Sequence, residues 1–562
     1  MQFNFEHYWA YDEMTANLKA MAEAHPGLMS LTSIGQSPQG REVWAATLTN
    51  MATGEAATKP AYYIDGNHHA GEVTGSMASL YAIWRLLGDY ASCAKTAKLL
   101  DTTTVYVIPR ISPDGAEHYL QTPEMLRSSP KPYPFEDKAA GLHGSDLNGD
   151  GSVTMMRIPS PLGQWKPHPE DGRVMVRRAP DELDGQFYTV IPEGLVEDYD
   201  GLNLFEAIHK SGLDFNRNYP FGWFPEYRQP GAGRYPLSNP ETKAVADFIC
   251  DHGNIGGAAT MHTTGGVIVY PPGTYSLKNT PKRDVTVFQA IGAMGTEETG
   301  YPIANVFDDF LQDTVNYSSG ALDDYMYEYH GIPAYTVELW NLQERAGIEN
   351  IWPRKPQSDA EQADHYVKIF KWIDENLGES AFTPWTEIDH PQLGKVEVGG
   401  FHFKFVYQNC PQGYLEAECE KTYRFCLRSA HTLPRLKVDS LTAAKAGDGV
   451  FHLKAIVSNY GYLPTFLTQA ALNVKVALPV HAHLELPQGA NLFSGKACQD
   501  IGHLEGVGFV GTKYSYQGIT KTKDEHPISR QVEWVVTAKA GETVTVTFTQ
   551  PKGGTASASV VL

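Results

Sequence analysis

Cysteine is scarce and scattered in this sequence. Cys93, Cys250, Cys410, Cys419, Cys426 and Cys498 are spread over 562 residues, and no two form a Cys-x-x-Cys pair. That argues against a cysteine-built zinc site and against a dense disulfide scaffold, and it tilts the compartment toward a reducing one such as the cytoplasm. Positive charge is also in short supply. Lys and Arg total 45 against 65 Asp and Glu, a net charge of −20. Such a chain lacks the basic face that a phosphate backbone requires, so nucleic acid is excluded as a partner. The acidity itself reads first as solubility. No stretch approaches the roughly 18 apolar residues that a membrane span needs. Residues 1–7 lack the basic start and apolar run of a secretory signal. No propeptide-like stretch precedes Tyr8, so synthesis as a zymogen is not expected. Internal repeats and low-complexity tracts are missing too.

What remains is a globular composition, 42% apolar and 11% aromatic. That suffices for a large core, and the length suggests two to four domains. Up to about residue 390, helical periodicity (10–24, 73–87, 240–251, 360–376) alternates with short apolar runs (61–65, 103–109, 258–262, 267–270, 334–339). This alternation predicts an α/β domain with a mixed, largely parallel sheet flanked by helices. Residues 130–213 break the pattern. They are rich in Pro, Gly and Asp and read as a loop-rich insertion within a 1–390 domain. A connecting segment, 391–432, carries a helix at 412–431. From 433 to 562 short runs (450–458, 474–480, 532–537, 544–549) are separated by turn residues and lack helical spacing. This predicts an all-β sandwich.

The chemistry concentrates at Gly66-Asn67-His68-His69-Ala70-Gly71-Glu72, where a predicted strand ends. α/β proteins place their sites at such ends. An imidazole and a carboxylate three residues apart can reach one zinc ion, although His-x-x-Glu also arises by chance. A distant third ligand is needed. Ala258-Ala259-Thr260-Met261-His262 places His262 at the end of another strand, a position that a satisfied core histidine also occupies. A set of His69, Glu72 and His262 leaves one coordination position open, as catalytic zinc requires.

With these residues in view, the chain resembles the zinc carboxypeptidase family of the carboxypeptidase A type, from about Tyr8 to Asp374. Ser33-Ile34-Gly35-Gln36-Ser37-Pro38-Gln39-Gly40-Arg41 is similar to an early family segment. His69-x-x-Glu72 matches the first metal motif, and Ser112-Pro113-Asp114-Gly115 resembles an Asn-Pro-Asp-Gly turn. Asp214-Phe215-Asn216-Arg217-Asn218-Tyr219 matches Asp-x-Asn-Arg-Asn-aromatic. His262 with Tyr270-Pro271 fits the third-ligand strand, and Thr336-Val337-Glu338-Leu339 the strand of the catalytic glutamate. Six landmarks in order are specific together. The resemblance implies a mixed sheet with one zinc at the carboxyl ends of central strands, held by His69, Glu72 and His262.

It also implies roles. Glu338 would be the general base, and Asp214 would orient His69. Asn216 and Arg217 would bind the substrate carboxylate, which a forked guanidinium recognises well. The oxyanion would fall to Arg127, with Arg157, otherwise a substrate-binding residue, as its rival for that role. Tyr317 matches the mobile active-site tyrosine. Asp323, in Leu322-Asp323-Asp324-Tyr325-Met326-Tyr327, would sit at the base of the side-chain pocket and attract basic C-terminal residues, unless it is only a helix N-terminal carboxylate. The expected substrates are therefore peptides with a free C-terminus. Departures from the family pattern are Ser112 in the turn, Gly71 where an arginine is common, and Tyr325 for Trp. Asp146, Asn148 and Asp150 are spaced like a calcium loop, but Arg157 stands where an acidic twelfth ligand belongs, so an Asx-rich turn competes with calcium. Two other activities fit the same residues: a zinc amidase acting on cell-wall peptides, and an inactive peptidase-like binding module.

Overall fold

The computed structural model describes every residue except 1, 136, 138, 209, 312–314, 510–511, 516–517 and 522–525. Eight strands build its central sheet: β1 (Met29–Gln36), β2 (Glu42–Leu48), β3 (Ala61–Gly66), β4 (Thr104–Ile108), β5 (Ile255–Thr263), β6 (Val267–Tyr270), β7 (Ile303–Asn305) and β8 (Ala334–Leu339). Their spatial order is β1-β2-β4-β3-β5-β8-β6-β7. β4, β3, β5 and β8 run parallel. β2 meets β4, and β6 meets β8, antiparallel. The sheet is thus mixed with a parallel centre, as the alternation of runs predicts. Every residue of β3, β4 and β5 is buried, which is why they read as unbroken apolar or small-residue runs. The helices Val73–Asp89 and Gln412–Ala430 pack on β3 and β5, and Leu322–His330 packs on β8. The parallel register aligns strand ends, with Met261 beside Gly66 and His262 beside Glu338.

Helices lie within two residues of their sequence positions, at Tyr11–Ala24, Val73–Asp89, Pro240–Asp251, Asp359–Asn376 and Gln412–Ala430. Two regions differ. Among the described residues, 130–213 hold six strands of three to five residues, too short to show a period. Four of them, Met155–Pro159, Tyr188–Pro192, Trp165–Pro167 and Met175–Arg177, complete a six-stranded sheet with Phe382–His390 and Gly394–Phe401. The expected strand at 474–480 is not formed. The helix Gln469–Asn473 runs into a turn with Lys475 at φ 63°, and the strand begins only at His481.

After residue 433 two four-stranded sheets stack around Phe451, Leu453, Trp534, Val546 and Phe548. Leu433, Leu463, Leu467 and Ala470, however, belong to the core of the α/β unit.

Candidate active site

β3 ends at Gly66, and the next residue, Asn67, turns the chain at φ 63°. The Asn67 amide donates to the His69 and Ala70 carbonyls at 2.6 and 3.2 Å, which holds the turn open. Glu72 then stands at the start of the helix Val73–Asp89, its side chain turned to the histidines and making no capping bond. His262 arrives from the adjacent β5. One donor atom each of His69, Glu72 and His262 lies within 4.8 Å of the others, the one such group among the described residues. Glu72 Oε1 is 2.8 Å from His69 Nδ1, and Oε2 is 2.9 Å from His262 Nδ1. The two Nδ1 atoms are 3.1 Å apart. Two imidazole nitrogens and a carboxylate that converge so closely present their lone pairs to one point. A single dication satisfies all three at once, and an N₂O set suits zinc.

His69 Nε2 stands 3.1 Å from Asp214 Oδ1. A donor bond to that carboxylate leaves Nδ1 free as a ligand. Arg127 Nε donates to the other Asp214 oxygen at 3.0 Å, and its Nη1 is 3.6 Å from Glu72 Oε1. Burial would raise the Asp214 carboxyl, but Arg127, Arg217 and His69 outweigh it and hold it well below the usual range. The Arg127 side chain is still 45% exposed, so its guanidinium is open to the cleft. Glu338 lies across the register from His262. Burial, then repulsion by Glu72, pushes its carboxyl up to about 7. A bound dication would draw it down again.

Asp214 also accepts from Asn216 N at 2.9 Å and so starts the short turn Phe215–Arg217. Asn216 Oδ1 in turn accepts from Leu322 N at 2.9 Å. That bond ties the turn to the helix Leu322–His330, whose first turn holds the buried Asp323 and Asp324. Asp323 is 4% exposed and accepts from Asp324 N at 3.0 Å and from Thr336 Oγ1 at 3.2 Å. Burial raises its carboxyl, while the hydrogen bonds from Asp324 N and Thr336, and then the charges of His262 and Arg217, partly offset this. Both sequence readings of Asp323, helix-start acid and pocket acid, are compatible with this placement.

The structure therefore brings together His69, Glu72, His262, Asp214, Arg127 and Glu338, with Asn216, Arg217 and Asp323 linked beside them. It does not bring Arg157 there. Arg157 is held in a two-pronged pair with Glu397, at 2.8 and 3.2 Å, between the rings of Tyr188 and Trp385. The six-stranded sheet that captures it has no visible sequence pattern. Tyr317 packs on Phe224 and Phe307, beside Arg228. In the 146–152 loop, Asp146 accepts from the backbone of Gly149, Asp150 and Gly151, and Asp150 Oδ1 accepts from Ser152 N. Asn148 Oδ1 accepts from Asp150 N. These side chains do the work of an Asx turn, and calcium finds no support.

Sequence reading missed two groups. His68 is fully buried, stacks on His262 at 5.4 Å and meets the Tyr219 hydroxyl at 3.0 Å. Burial, then the charges of His262 and His69, lowers its pKa well below the ordinary value, so it remains neutral. Its only signal was adjacency to His69. Asn409 donates to Gly71 O at 2.6 Å and accepts from Thr74 N at 2.9 Å, clamping the chain on both sides of Glu72. Nothing in its own segment announces this.

A profile described as zinc carboxypeptidase matches residues 14–159 and 183–358, more than half of the chain. A domain family of unknown function matches 435–561. The chain is 22% identical to carboxypeptidase A2 of Rattus norvegicus over 281 residues, 48% of either chain. It is 21% identical to carboxypeptidase A1 of Mus musculus over 351 residues, 60% of this chain and 63% of the relative. The matches thus span about half to two thirds of these relatives. Among solved structures, carboxypeptidase A from Helicoverpa armigera aligns with TM-score 0.40 and 18% identity, covering 66% of this chain and 74% of the other. Metallo-carboxypeptidase from Burkholderia cenocepacia aligns with TM-score 0.35 and 14% identity, covering 66% and 69%. The profile match and the converging His69, Glu72 and His262 lead to one conclusion: this chain belongs to the zinc carboxypeptidase family.

Proposed function

We propose that this protein is a zinc-dependent metallocarboxypeptidase that removes the C-terminal residue of peptides with a free carboxylate, with a preference for basic residues. The observation that carries the reading is the convergence of His69, Glu72 and His262, with Glu338 one strand across from His262. Bound zinc supplies a Lewis acid that polarises the scissile carbonyl and eases deprotonation of water. Glu338 takes the proton of the attacking water on its carboxylate and returns it to the leaving amine nitrogen. Arg127, aimed by Asp214, stabilises the oxyanion. Asn216 and Arg217 read the terminal carboxylate, and Tyr317 closes over it. Asp323, buried at the start of its helix, offers a carboxylate to a lysine or arginine side chain.

Hydrolysis of blocked dipeptides ending in Lys, Arg, Phe, Glu or an amidated residue tests this, with zinc, with chelator and with Glu338→Gln. The reading expects chelator-sensitive release of Lys or Arg that the variant loses. Release of Phe instead would retain the activity and remove the role of Asp323. No release from any peptide by zinc-loaded protein would reject a carboxypeptidase.

A further inference from the structure

Gly71 stands between two metal ligands, and the space beside it is already taken. A Cβ there would meet Gln408 Nε2 at 2.7 Å, Gln408 Oε1 at 2.8 Å and the Tyr119 ring at 2.8 Å. Gln408 ends the helical turn Phe403–Gln408, which lies beyond the residues matched by the family profile. The turn is firmly seated. Asn409 clamps Gly71 and Thr74. The Tyr119 hydroxyl accepts from Asn409 Nδ2 at 3.2 Å. It shares its own proton between Gln408 Oε1 at 3.0 Å and Lys404 O at 3.2 Å. Lys404 Nζ, in turn, donates to the Tyr119 and Thr122 carbonyls at 2.8 and 2.6 Å. Gln408 is thereby oriented with its carbonyl end toward Tyr119. Its Nε2 has no hydrogen-bond partner among the described residues, and the side chain is half-buried at the metal loop.

The sheet order says which part of a substrate passes there. Asn216 is tied through Leu322 N to the helix Leu322–His330, which carries Asp323 and packs on β8. Gln408 and Tyr119 stand against Gly71 in the loop after β3, and Tyr119 belongs to the helix Pro113–Gln121 that follows β4, the strand on the far side of β3 from β5 and β8. A peptide with its carboxylate at Arg217 and its scissile bond at the ligands continues across Gly71. We propose that Gln408 is a substrate-binding residue, whose Nε2 donates to a backbone carbonyl of the peptide on the amino-terminal side of the scissile bond. A neutral amide there suits a neutral acceptor and makes no demand on side-chain sequence. The inference rests on the carboxypeptidase reading above for the direction of the bound peptide.

The test compares N-propionyl-lysine, whose only backbone amide carbonyl is the scissile one, with acetyl-Ala-Lys and acetyl-Ala-Ala-Lys, and a matching phenylalanine series. Dissociation constants are measured on zinc-loaded Glu338→Gln protein, alone and with Gln408→Met or Gln408→Glu. Met keeps the length without a donor. Glu keeps the acceptor for Tyr119 and places a carboxylate oxygen where the donor was. The two acetylated peptides should bind about three- to tenfold more weakly to either variant, the range of one neutral hydrogen bond, while N-propionyl-lysine is unchanged. Equal weakening of all peptides, or none, would overturn the proposal. Length-dependent binding without hydrolysis by the Glu338-intact enzyme would reject the carboxypeptidase and leave the Gln408 contact standing. Failure of every peptide to bind would reject both.

Discussion

Asp214 shows how one side chain serves several neighbours. Its oxygens meet a metal-ligand histidine, an arginine and a backbone N–H. Its loss should therefore be felt in metal binding as well as in rate. Asp214→Asn is expected to weaken zinc affinity about 10–100-fold in chelator competition, the usual cost of removing a carboxylate behind a metal histidine. Glu338 is different, because in the proposed mechanism it acts on the attacking water and is not one of the three metal-holding groups. Glu338→Gln should lower kcat about 10²–10⁴-fold while zinc stoichiometry stays at one. Asp323→Ala should reduce the ratio of kcat/KM for Lys over Phe about 10–100-fold, the worth of a hydrogen bond to a charged group. An unchanged ratio would return Asp323 to a purely structural place at its helix start.

At the scale of elements, the helix Pro240–Asp251 carries a cost in its first turn. Glu241 is 1% exposed, and burial with added repulsion from Asp114 raises its carboxyl from 4.5 to about 7. A raised folded value means that the unfolded chain sheds the proton first as pH rises. Stability from this group is greatest below about pH 4.5 and is lost by about pH 7. The loss is of the order of 2–3 kcal/mol. Glu241→Gln should raise Tm at pH 8 and flatten the slope between pH 5 and 7 in thermal melts. Wild-type-like pH dependence in the variant would count against this. The loop after β3 is likewise an element-scale device. Its strand end was visible in the sequence, because β3 is an apolar run that stops at Gly-Asn. The clamp by Asn409 was not, because its partner Gly71 is 338 positions away.

At the scale of the molecule, the C-terminal β unit is joined to the α/β unit by shared core. Leu433, Leu463, Leu467 and Ala470 enter the α/β core. Asp284 accepts from the backbone of Gln469 and Ala470 at 2.6 and 3.0 Å, and Lys552 donates to Ile255 O at 2.5 Å. Each buried leucine is worth about 1.5–3 kcal/mol, and a whole domain has only about 5–15 kcal/mol to lose. A chain ending at residue 432 should therefore lose cooperative thermal unfolding, and the full chain should melt in one transition. A cooperative transition in the shortened chain would show that the two units fold independently.

The sequence by itself determined the mixed α/β frame, the β sandwich and the His69, Glu72 and His262 group that could hold a metal. Those features rest on local runs: His262 and Glu338 stand near the ends of readable strands, and His69 and Glu72 in the loop that follows one. Only the tertiary structure placed Arg127, and not Arg157, beside the His69–Glu72–His262 group. Both are arginines after the Ser112–Gly115 turn, and what separates them is Asp214 beside one and Glu397 beside the other. It also decided that 146–152 is an Asx turn, that 474–480 forms no strand, and that residues 403–409 reach the metal loop. Each of these depends on which groups meet across long separations. Spacing along a chain carries no record of such meetings, because packing selects them only after the strands and helices have formed.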